Sequence, residues 1–240
     1  MTNTKAADLT LFFTFEGGVV PHYVIQCILA RCLRDQGHET AILLCDGLFE
    51  RCPVFDMHYL PYDASPDNKA PICAGCAADA RHLSSLYGLR AVQVRDHFGP
   101  TEERTVAQAM AALPHDLESF SFDGIPFGKA VIMDMALATK RYSFEPDDPA
   151  IRTMWTQYVA TALRGYLLAA RLLEDLPVRR TLRFNDYTVL LGSHFASLRR
   201  GIPAYHITQP PHLGVNRRNV VIFPHVWPKC FDDNVADWPL

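Results

Sequence analysis

Long apolar runs are missing from this chain, although hydrophobic residues fill 49% of its 240 positions. Charged residues break each stretch before it reaches the roughly 20 residues needed to cross a bilayer, so no transmembrane segment is expected. Residues 1–8 are short and polar and carry none of the order of a secretory signal. An excess of either charge is also lacking. Lys and Arg number 23 against 26 Asp and Glu, a formal −3, which gives no general attraction to nucleic acid or acidic lipid; no nucleic-acid partner is expected. The cysteines number seven, an odd count that argues against a disulfide-stapled secreted module. The expected compartment is the cytosol, with the inner face of the membrane reached only through partners. The length suffices for a full core in one large domain or at most two small ones.

Paired thiols are what the chain does have. Cys45 and Cys52 form one pair, and Cys73-Ala74-Gly75-Cys76 forms a closer one whose glycine eases a tight turn. Four thiolates so grouped can hold a structural zinc or an iron–sulfur cluster, and the residue types admit either. Buried free thiols or a redox-active pair are the other reading. If Cys45 ends a strand and Cys73 stands at the foot of a helix beginning at Ala77, the ion would clip a long loop containing Pro53, Pro61, Pro66 and Pro71. Cys27 and Cys32 read as small core residues of a helix, and Cys230 is isolated.

The pattern along the chain is that of an α/β protein. Residues 9–15 form a short continuous apolar run suited to a buried strand, ended by Glu16-Gly17-Gly18. Residues 23–36 have helical spacing with Gly37 as the stop, and 40–45 read as the next strand. The loop therefore lies at the carboxyl end of the first strand, where open parallel sheets bind ligands. Glu16, Gly17, Gly18 and His22 form the first candidate cluster. The glycines permit close approach, and His22 near a helix start can act as a general base; a tight turn with a capping histidine explains the same residues. The third glycine of a dinucleotide fingerprint is absent. Residues 149–173 carry the widest apolar stripe, and 181–184 deliver Asn185 and Asp186 to a strand end, where they can bind sugar hydroxyls or cap the helix over 188–200. Asp134 within residues 129–140 is exposed or paired, and Arg141, Tyr142 and Phe144 make a small basic and aromatic cluster.

The glycine-rich turn with His22, the helix ending in Gly37-His38, Phe184-Asn185-Asp186 with the following 198–205 segment, and the four-cysteine arrangement together resemble the amino-terminal half of GT-B glycosyltransferases of bacterial capsule and surface-polysaccharide synthesis. The resemblance implies a Rossmann-like, open and mostly parallel sheet over residues 1–209, with 210–240 an extension or linker toward a missing donor-binding domain. It implies a carbohydrate or glycoconjugate acceptor held by Gly17, Gly18, Asn185 and Asp186. His22 or Glu16 would deprotonate the acceptor hydroxyl, and the nucleotide-sugar donor would sit on a donor-domain subunit or the missing domain. A dinucleotide-dependent oxidoreductase is the alternative among enzymes, opposed by the incomplete glycine pattern. A non-catalytic metal-stabilised assembly or regulatory module is the alternative outside them.

Overall fold

A computed structural model describes residues 8–141, 143–185, 187–208 and 221–223. In chain order the elements are β1 (Leu9–Phe13), α1 (Val20–Asp35), β2 (Glu39–Leu44), α2 (Pro53–Met57), α3 (Pro66–Leu86), β3 (Arg90–Gln93), α4 (Pro100–Ala111), α5 (Phe127–Ala130), α6 (Ile132–Thr139), α7 (Pro149–Asp175), β4 (Val178–Phe184), α8 (Thr188–Arg199), β5 (Ala204–Thr208) and β6 (Val221–Phe223). The six strands lie in the order β3-β2-β1-β4-β5-β6. The first five are parallel, and β6 pairs antiparallel with β5. The Rossmann-like α/β expectation is met.

The central strand shows why. All five β1 residues are buried, as a strand covered on both faces requires. Its period of two sends Leu9, Leu11 and Phe13 into one core with α4, α7 and α8, and Phe12 into a second core with Tyr23, Ile25 and Cys27 of α1. Cys27 is a core residue as expected, whereas Cys32 is exposed because five residues along a helix turn it to another face. Gly37, at φ +88°, closes α1: its N–H donates to the Arg34 carbonyl at 2.9 Å and that of His38 to the Leu33 carbonyl at 3.0 Å.

The expected proline-rich loop is largely replaced by helix. Ser65 caps α3 by accepting the Asn68 N–H at 3.3 Å, Pro66 takes the first helical position, and the helix runs through Pro71 to Leu86. Cys73 and Cys76 are therefore helical neighbours and not members of a turn.

The buttress α7 is 27 residues long and packs against α8 at two glycines. A Cβ on Gly192 would stand 2.2 Å from the Tyr166 nitrogen and 2.6 Å from the Ala162 carbonyl oxygen, so only hydrogen lets the backbones approach this closely. Gly192→Ala is expected to cost about 3 kcal/mol through overpacking, read as a fall of about 6–12 °C in melting temperature. An unchanged transition would mean that the helices separate freely. Among the described residues no helix is long and apolar enough to cross a membrane.

Candidate active-site crevice

The chain leaves β1 toward β2 and leaves β4 in the opposite direction, toward β5, so the sheet changes direction between β1 and β4. The carboxyl ends of such a pair open a crevice. Residues 14–19 line it on one side, and Asn185 and Tyr187 on the other. Thr14 fixes the first side to β2, its Oγ1 donating to the Leu43 carbonyl at 3.0 Å and accepting the Leu43 N–H at 3.2 Å. Gly17 then presses on α3 and Gly18 on α2: a Cβ on Gly17 would meet the Cys76 carbonyl oxygen at 2.7 Å, and one on Gly18 would meet Val54 at 2.9 Å.

Glu16 lies beneath this turn and is only 1% exposed. Its carboxyl group accepts the Phe15 N–H at 2.9 Å and the Gln26 amide at 3.3 Å. Burial outweighs these bonds and pushes its pKa up to about 8. Since the raised value favours the protonated form in the folded chain, Glu16 subtracts stability as pH climbs from the unfolded value of 4.5 toward 8, and the loss is constant above that. Glu16→Gln should remove a slope of up to about 1.4 kcal/mol per pH unit over that window. Urea titrations at several pH values would show it, and parallel curves for both chains would rule out the protonated carboxyl.

His22 stands at the start of α1 with its ring stacked on Phe184, centroids 4.4 Å apart, and next to Tyr187 at 6.0 Å. Its Nδ1 is buried with no hydrogen-bond partner among the described residues. Burial lowers its pKa, so the imidazole is neutral near pH 7. Asn185 adopts a left-handed φ of +61°, and its amide reaches the Tyr187 hydroxyl at 3.5 Å. Burial raises the pKa of the Tyr187 phenol, the hydrogen bond from Asn185 opposes this, and the negative charge of Asp134 adds to it. Asp134 is buried and paired: it accepts the Thr188 N–H at 2.6 Å at the amino end of α8, where the helix dipole favours an anion. Asp186 lies outside the described residues.

A second polar group was not foreseen. Arg51, 3% exposed, pairs with Asp56, donates to the Leu60 carbonyl at 2.9 Å and lies over the Tyr62 ring at 4.2 Å. The Tyr158 hydroxyl donates to Asp56 at 3.0 Å. Tyr158 stays protonated because burial, then Asp56, Tyr62 and Asp134, all disfavour the phenolate. The sequence signal was an arginine and an aspartate five apart around an apolar turn, with no local clue to Tyr158.

His22, Glu16, Gly17, Gly18 and Asn185 are therefore brought to one crevice. The four cysteines are also brought together, around one small space, but the zinc or iron–sulfur expectation is overturned: among the described residues no set of three or more His, Cys, Asp or Glu is placed to hold an ion. Cys76 instead points its sulfur at the Gly18 N–H, which donates at 3.1 Å, and burial pushes Cys45 up to about 12 and Cys52 higher, so both remain thiols. Tyr142 lies outside the described residues, and its neighbour Phe144 packs edge-on against Trp155, ring centroids 6.3 Å apart.

No family model and no curated protein matches the sequence. Solved structures do. A CDPS from Fluoribacter dumoffii superposes with a TM-score of 0.52 at 9% identity, over 84% of this chain and 89% of that one. AlbC, a cyclodipeptide synthase from Streptomyces noursei, follows at 0.45 and 15% identity over 86% and 97% of the two chains. Cyclo(L-leucyl-L-phenylalanyl) synthase gives 0.42 and 11% identity over 91% and 92%.

The match at 0.52 overturns the GT-B reading, because the fold it shares with this chain is that of a CDPS and not of a glycosyltransferase. The nucleotide-sugar donor, the carbohydrate or glycoconjugate acceptor, the missing donor domain or donor-domain subunit, and the role in polysaccharide synthesis fall with it. The oxidoreductase and metal-module alternatives gain no support, and the exclusion of nucleic acid as a partner no longer stands. A glycine turn between strand and helix occurs in many doubly wound sheets, so it could not select one family. At this level of identity the likeness establishes the fold alone, an α/β sheet that is mostly parallel.

Proposed function

We propose that this chain joins two activated aminoacyl groups, delivered on tRNA, into a cyclic dipeptide. The observation that carries the reading is the shared fold with a CDPS over 84% of this chain and 89% of that one. The crevice supplies groups suited to the chemistry. An amine must lose a proton to attack an ester carbonyl, and the neutral imidazole of His22 accepts it. The amide of Asn185 and the hydroxyl of Tyr187 are hydrogen-bond donors for the oxygen that becomes negative in the tetrahedral intermediate. Glu16 is too deeply buried to touch substrate and acts as a positioning residue, holding the Gly17-Gly18 turn and Gln26. The floor beneath the amino acid side chain is apolar, Phe184 being fully buried.

Transfer from tRNA requires phosphate contacts despite the net charge of −3. A groove of about 1090 Å³ at the ends of β2 and β3 is lined by Lys69, Arg81, Arg95 and Arg164, interspersed with Asp46, Glu50 and Asp96, Arg164 being paired with Glu50 and Glu103. Local cations of this kind are enough for salt-sensitive binding. In this reading residues 1–209 carry the site, and the protein works in the cytoplasm, where charged tRNA is found.

The experiment is to incubate the full chain with bulk tRNA charged with the proteinogenic amino acids and to search for cyclic dipeptides by liquid chromatography and mass spectrometry. Products that require both protein and charged tRNA are expected. Deacylation at the spontaneous rate, with no cyclic product from any amino acid, would overturn the reading.

A further inference from the structure

Four thiols that the proposed reaction does not use meet beside the crevice. Cys45 follows β2, Cys52 precedes α2, and Cys73 and Cys76 lie one turn apart on α3; all four line one space of about 20 Å³, walled otherwise by Phe15, Val54, Phe55 and Ile72 among others. That is little more than the room one water takes, so the four residues close on one small space. None of them is bridged. A Cβ on Gly47, two residues beyond Cys45, would stand 3.5 Å from the Cys73 sulfur, so the chain leaving β2 runs close past Cys73, while the Cys76 sulfur is already engaged by the Gly18 N–H. Cys73 alone among the four also lines the open groove of about 1090 Å³, beside Lys69. A peroxide entering from that groove therefore meets Cys73 first, with the shared space and its other thiols behind it.

We propose that this cluster is an oxidation site at which a hydroperoxide converts Cys73 and Cys45 into a disulfide linking α3 to the end of β2. The sulfur of Cys73, as its thiolate, attacks the peroxide O–O bond, forming a sulfenic acid and expelling hydroxide from hydrogen peroxide or an alkoxide from an organic peroxide, which takes up the proton the thiol released and leaves as water or alcohol. The Cys45 sulfur then attacks that of Cys73, the S–S bond forms and a second molecule of water leaves. Two thiols are oxidised, one peroxide is reduced, and a dithiol reverses the change. Burial raises the pKa of Cys73 and the Lys69 cation opposes this, which fits the more accessible thiol as the one attacked first. The link would fasten the helix that carries Cys76 beneath Gly18 to the strand that carries Thr14's partner Leu43. The inference stands on this packing and is independent of the proposed reaction.

The test treats the folded full chain with hydrogen peroxide, blocks remaining thiols with iodoacetamide and maps the linked peptides without reduction. A Cys45–Cys73 peptide pair is expected, with two thiols lost per chain, regained with dithiothreitol and accompanied by an unchanged far-ultraviolet circular dichroism spectrum. In Cys45→Ser the sulfenic acid on Cys73 should persist, raising its labelling by dimedone severalfold. A different pair, links through the exposed Cys32 or between chains, or linkage only after unfolding in urea would overturn the proposal. So would four intact cluster thiols after peroxide has oxidised Cys32.

Discussion

Replacement of His22 by alanine is expected to slow cyclic-dipeptide formation by about 10²- to 10⁴-fold, the usual contribution of a positioned general base. The same change removes a ring stacked 4.4 Å from Phe184, so part of any loss could come from the packing, which is worth about 0.5–1.5 kcal/mol. His22→Phe separates the two effects. It keeps an aromatic ring against Phe184 while removing the nitrogen, and it should match the alanine chain in rate while melting close to the parent. Because burial holds the imidazole below its ordinary pKa, the parent's rate should fall only as pH drops through that depressed value, and the Phe chain should lack this limb. Normal turnover by His22→Phe would remove imidazole from the reaction.

Loss of Asp56 is expected to destabilise the fold by about 3 kcal/mol, at the lower end of what stranding a buried partner costs. Arg51 is 3% exposed and Asp56 28% exposed, so Asp56→Ala leaves a guanidinium inside the protein with the Leu60 carbonyl and the Tyr62 ring as its remaining partners. The Tyr158 hydroxyl loses its acceptor as well. For a chain of this size the melting temperature should fall by about 6–12 °C. Since replacing both charges with apolar side chains is often neutral or better, Arg51→Met with Asp56→Leu should recover most of the loss. A double variant as unstable as Asp56→Ala would mean that the network holds shape through Tyr62 and Tyr158 more than through paired charge.

Much of the scaffold could be read locally. The β1 run is buried on both faces, and a strand so placed must be apolar at every position. The stop at Gly37 works through its left-handed φ, and the apolar stripe that begins at residue 149 is the start of α7; in each case the signal and its cause lie within a short stretch of chain. The errors came where two local signals competed. Pro66 and Pro71 read as loop markers, yet Pro66 at the first helical position favours the helix, and a helix of 21 residues absorbs the single hydrogen bond that Pro71 removes.

The sequence by itself determined the α/β class, the position of the glycine turn at the end of the first strand, and the supply of His22, Glu16 and four thiols. Each follows from short-range periodicity or turn chemistry. Only the tertiary structure decided what those groups do together. His22 meets Phe184 across 162 residues of chain, and Asp134 reaches Thr188, Tyr158 reaches Asp56, and the thiols of two segments share one space. Such contacts depend on strand order and helix packing, which hydrophobic patterns constrain only through the fold as a whole. For the same reason the four-cysteine spacing could bring the sulfurs near one another without giving them an ion's geometry: α3 begins before Cys73 and turns the Cys76 sulfur toward the backbone N–H of Gly18.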